Sequence, residues 1–213
     1  DVRDGQLGAF ETDVGNPDDR GDLEALTAAA GAKAFSASLS ARADLDELTR
    51  MWAVERYIGD WDGYSGVAGP NNYYLHSDDA GRFSMLPWGT DNSWSLHTSF
   101  DLQGSGRLFG SCMREWACRA RYRDALRRVR DHAASLDLGT RASALAAQLA
   151  PWQQLDPRRE QSLEQIAAGV AGVQAFVAER PGELDAWLGQ EPAPTAAPPS
   201  LPGAALAAPG PAM

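Results

Sequence analysis

The chain has 213 residues, a formal net charge of -10 and a hydrophobic fraction of 44%, enough for one well-packed domain with a tail. Its acidity argues against a nucleic-acid surface, which needs clustered lysine and arginine. No apolar run approaches the roughly 18 residues that a membrane span needs.

Residues 1 to 21 are rich in glycine and aspartate, with a short predicted strand over Gly8–Thr12. The opening at Asp1 shows neither methionine nor a charged-then-apolar leader, which reads as a removed signal peptide or an N-terminally truncated fragment. A short helix is expected over Asp22–Ala30, with Asp22 as N-cap and Gly31 as stop. A stronger one follows, capped by Asp44, with Glu47 three residues on and Leu45, Leu48, Trp52 and Glu55 on one face. Met51, Val54 and Ile58 widen its apolar stripe, and it ends at Gly59.

A hairpin comes next, with strands Asn72–His76 and Arg82–Leu86 around a turn at Ser77–Gly81. Tyr73, Leu75, Phe83 and Met85 give it period-two patterning. Past Asp101 the spacing predicts helices over Ala117–Ala134, Gly139–Gln148 and Ser162–Glu179, the last stopped by Pro181. Leu163, Ile166, Val170, Val173 and Val177 mark its core face. The Pro/Ala/Gly-rich stretch 189–213 cannot bury enough surface to offset its ordering entropy and is expected to be disordered.

Cys112 and Cys118 are the only cysteines. Inside one continuous helix they point to different faces; with a helix starting only near Ala117, Cys112 lies in the preceding loop and a local disulfide is feasible. Two buried thiols are the alternative. His76, His97 and His132 share no spacing and read as surface or packing residues. Trp88 and Trp94 read as core packing, with the lining of a purine site as the lesser reading for one of them; Arg119, Arg123, Arg127 and Arg130 read as a solvated helix face, with docking of an acidic or phosphorylated protein as the lesser one.

The chemistry concentrates in Trp61-Asp62-Gly63-Tyr64, Asn71-Asn72-Tyr73-Tyr74-Leu75 and Leu86-Pro87-Trp88-Gly89-Thr90-Asp91. An acid, an amide and a second acid fall at the ends of short apolar segments. These are hard oxygen ligands for a divalent cation, with one carboxylate to spare for a nucleophile's proton. The hairpin begins at Asn72 and delivers Asp91 just past its end, so both are expected at one edge. Asp60 reads as a supporting or capping residue and Asn71 as a turn residue.

These motifs, the helix Leu45–Ile58 and the segment Cys112–Tyr122 leading into an arginine-bearing helix resemble the spore-coat CotH kinase family. The resemblance runs from about Phe10 to Leu188. It implies an α+β, atypical protein-kinase-like fold over residues 1–188: mostly a helical C-lobe with a central hairpin and a remnant of the N-lobe. It also implies transfer of the ATP γ-phosphate to serine of a Ser-rich protein with Mg2+ or Mn2+, and a secreted or spore-surface location. By the same resemblance Asp62 is the catalytic acid that receives the hydroxyl proton, and Asn72 and Asp91 are metal ligands. Ten positions separate Asp62 from Asn72, where H-R-D-x-x-x-x-N has five. The family's Pro-Trp-Asp-x-Asp has Gly89 at its first acid, and no phosphate-covering glycine loop precedes Asp62, so this stretch alone is expected to bind ATP weakly. A catalytically silent kinase-like binding module and a secreted calcium-binding protein are the competing readings.

Overall fold

The computed structural model describes residues 1–3, 5–101 and 106–190. Within them the fold is mixed α+β: seven helices and one two-stranded antiparallel hairpin. The helices are α1 (Gly21–Gly31), α2 (Phe35–Leu39), α3 (Leu45–Ile58), α4 (Arg107–Arg114), α5 (Trp116–Ser135), α6 (Leu138–Leu155) and α7 (Leu163–Gln190). Strands β1 (Tyr73–Ser77) and β2 (Phe83–Pro87) lie between α3 and α4.

The helix α3 forms where its end signals say it should. Asp44 accepts from the amides of Asp46 and Glu47, and Gly59 ends the helix at φ 70. A Cβ at Gly59 would stand 2.4 Å from the Leu96 carbonyl, so only glycine permits this close approach. The helix packs on α5 and buries Leu45, Leu48, Trp52 and Glu55, with Trp52 wholly enclosed. Trp52 stacks on Tyr64 and meets the edge of Phe109, which in turn meets Tyr122. Each of these large side chains contributes roughly 1.5–3 kcal/mol through burial. Their cluster joins α3, the loop after it, α4 and α5 into one floor beneath the site.

Several expectations are corrected. Gly8–Thr12 is not a strand; a 3-10 turn spans Leu7–Ala9. Asp22 is not the N-cap of α1 but sits in its first turn and accepts from Ser77 Oγ at 2.6 Å. The cysteines form a disulfide although Cys112 is helical, because Glu115 takes an extended conformation (φ -96, ψ 122) that breaks α4 from α5. The Glu115 side chain braces the break by accepting from the amide of Ser36 at 3.1 Å and from its hydroxyl.

Pro181 does not stop α7, and Pro151 lies inside α6, so both helices outrun their predicted ends. The buried residues of α7 are Phe176, Arg180 and Leu184, not the predicted aliphatic stripe, of which Leu163 is exposed. The first half of α7 packs on α6, and no α6 residue is buried. The predicted disordered tail falls, past Gln190, outside the described residues. No helix among the described residues is long and apolar enough to cross a membrane.

Candidate active site

The loop after α3 and the open end of the hairpin meet. Tyr73 pairs with Pro87 as the last rung of β1–β2, and one step outside it the Trp88 amide donates to the Asn72 carbonyl at 2.8 Å. Asn72 and Gly89 both turn left-handed there, with φ 51 and 58. Asparagine and glycine are the residues that adopt this conformation at least cost. The reversal brings the Asn72 side chain under Asp62.

Asp62 is held by amides. Asn71 Nδ2 donates to its Oδ1 at 2.9 Å, Asn72 Nδ2 to its Oδ2 at 2.9 Å, and Asn92 Nδ2 approaches Oδ2 at 3.5 Å. Asn72 Nδ2 also reaches the Asp62 carbonyl at 3.1 Å. An ionised carboxylate only accepts, so it turns the NH2 end of Asn72 toward itself and leaves Oδ1 facing away. A Cβ at Gly89 would lie against the Asn72 amide, 3.3 Å from Cγ, 3.4 Å from Oδ1 and 3.6 Å from Nδ2.

Beneath Asp62 lie two buried carboxyls. Asp60 Oδ1 accepts the Asp62 amide at 3.3 Å. Glu55 accepts the Tyr64 amide at 3.1 Å, the Ser65 amide at 2.9 Å and the Ser65 hydroxyl at 2.6 Å. Burial pushes the Glu55 carboxyl above its ordinary range, against the pull of these bonds. Burial also raises Asp60, helped by the charges of Asp62 and Asp91.

Asp91 contrasts with both. It is exposed, and among the described residues no hydrogen bond or ion pair holds its carboxylate. Its charge contributes to the raised Asp60 carboxyl. Asn72 and Asp91 each carry an oxygen of the kind that hard divalent cations such as Mg2+ or Mn2+ prefer. Among the described residues Asp60, Asp62 and Asp91 do not form a tight three-acid group. The one such cluster is His97, Glu179 and Glu183, with ligand atoms within 4.8 Å of one another.

Sequence reasoning missed several participants. Asn71 is more than a turn residue, and Asn92 carried no signal beyond its place next to Asp91. Trp88 is not core: it is 60% exposed and meets Tyr74 edge-on. Arg123 leaves the supposed solvated face, lying buried over Trp187 with a bond to the Leu188 carbonyl. His97 bonds Glu183 through Nδ1 at 2.6 Å. Arg180 is the largest omission. Its guanidinium donates to the carbonyls of Arg56, Tyr57 and Thr98, closing the end of α3 just before the Asp62 loop.

Comparison with curated proteins returns no match. A family model described as CotH kinase protein matches residues 3–184, spanning the hairpin, the Asp62 loop, α1 to α6 and most of α7. The chain belongs to the CotH kinase protein family.

Proposed function

We propose that this chain carries the phosphate-transfer site of a metal-dependent protein serine kinase. The observation that supports it best is the direct contact of Asp62 with Asn72 at the open end of the hairpin, 2.9 Å apart. Asp62 is the catalytic acid. It orients the substrate serine hydroxyl and receives its proton as the serine oxygen bonds to the γ-phosphorus and the bond to the departing ADP oxygen breaks. The three asparagine amides fix the direction in which its free lone pairs point.

Asn72 Oδ1 and Asp91 would hold the divalent cation, which would neutralise charge on the transferring phosphoryl group. The division follows from their surroundings: the acid with amide partners stays clear of metal, and the acid without partners is available for it. The Cys112–Cys118 bridge favours an oxidising, extracytoplasmic location, and a Ser-rich protein is the expected substrate.

A second reading is a catalytically silent binding module, favoured by Gly89 at the position where the family pattern carries its first acid. Labelled ATP and Mg2+ or Mn2+ with the full-length protein and a serine-rich acceptor separate the two. Label on the acceptor, absent with Asp62→Asn, supports transfer; no label on any protein, including the kinase itself, supports the silent module.

A further inference from the structure

Asp62, Tyr64 and Ser65 turn their backbone amides down onto two buried carboxyls. Asp60 takes the Asp62 amide at 3.3 Å, while Glu55 takes those of Tyr64 and Ser65 at 3.1 and 2.9 Å. Glu55 is 3% exposed and Asp60 1%. Gly63 stands between them: a Cβ there would lie 2.9 Å from Asp60 Oδ2 and 3.0 Å from Glu55 Oε1. Burying two like-charged groups side by side is unfavourable, and a hydrophobic pair would serve a merely structural role at lower cost. What carboxylates alone supply is a row of acceptors for a loop that has no sheet or helix partners of its own.

We infer that Glu55, with Asp60 beside it, is a positioning residue for phosphate transfer, fixing the backbone from which Asp62 is presented. The inference rests on the proposed kinase reading. Glu55 projects from the rigid helix α3, whose last turn is closed by Arg180, so the loop is registered to the core rather than to solvent. Ser65 Oγ at 2.6 Å adds a third bond and orients the Glu55 carboxylate. A displacement of about 1 Å at a reacting group costs on the order of a hundredfold in rate, so a loose loop would impair transfer with its catalytic acid intact.

Glu55→Gln in the full-length protein tests this. The variant keeps shape and volume but points an NH2 at amide N–H groups. Expected are a fall in kcat of at least about tenfold with KM for ATP within about twofold. Hydrogen exchange at Tyr64 and Ser65 should quicken, with α3 and α5 protected as in wild type. Ser65→Ala removes only the hydroxyl bond and should show a smaller fall in the same direction. Wild-type kcat together with wild-type exchange at 64 and 65 overturns the inference. So does exchange that rises throughout α3 and α5, since Glu55 would then be a general core residue. If the wild type transfers no phosphate the kinase reading fails by itself, and the exchange pattern still decides whether Glu55 clamps the loop.

Discussion

Asp62 and Asp91 sit at two segments built in opposite ways. The Asp62 loop has its backbone amides tied to buried carboxyls and its side chain met by three asparagines. The Asp91 segment leaves its acid exposed and unbonded among the described residues. A group that must aim at a hydroxyl before reaction benefits from being fixed in advance, because no reorganisation is then needed in the transition state. A group that binds a cation gains its ordering from the cation itself. The contrast supports the proposed division, in which one acid orients the hydroxyl and the other binds metal.

The contrast can be broken most severely at Asp62. Asp62→Asn should lower transfer by about 10²–10⁴-fold, the usual worth of a positioned acid or base, with a thermal midpoint close to wild type. Arg180→Ala loosens both segments at once, since Arg180 joins the carbonyls of Arg56 and Tyr57 to that of Thr98. Leaving a buried carbonyl without a donor costs about 1–3 kcal/mol, read as a lower denaturant midpoint.

Gly89→Asp sharpens the comparison by supplying the acid that the family pattern places there. At φ 58 it should cost about 1–2 kcal/mol of stability, and its Cβ would abut the Asn72 amide that the proposal gives to the metal, so transfer should not rise. The smallest effect concerns the far side of the Asp91 segment, where His97 and Arg180 flank Glu183. Burial pushes the Glu183 carboxyl up, but bonds from Arg180 and His97 outweigh it and hold it below its ordinary value of 4.5. A lowered carboxyl stabilises the fold above the unfolded value, and that contribution is lost as pH falls through the folded one. The difference in thermal midpoint between wild type and Glu183→Gln should therefore be largest near neutrality and shrink below about pH 4.5.

Much of this was legible where local chemistry decides structure. Asp44 and Gly59 bound α3 in the sequence as in space, and the hairpin lies within a residue of its predicted ends. The contact of Asp62 with Asn72 follows from that hairpin. What stayed hidden depends on tertiary partners. Glu55 was on the buried face by periodicity, but nothing local says that its carboxyl meets amides nine and ten residues on. Arg180 lies beside Pro181, which reads as a helix stop, yet α7 continues because its core contacts outweigh the lost hydrogen bond. Trp88 was misplaced because an aromatic beside a strand reads as core, while here the strand's outer face is open.

The division of labour between the two acids is tested most directly by Mn2+ binding to three forms of the full-length protein, measured by calorimetry or by electron paramagnetic resonance. Asp91→Ala should weaken Mn2+ binding by about 10–100-fold, while Asp62→Asn should bind it as wild type does, both forms remaining folded. Equal loss in the two variants, or no loss in Asp91→Ala, would contradict the assignment.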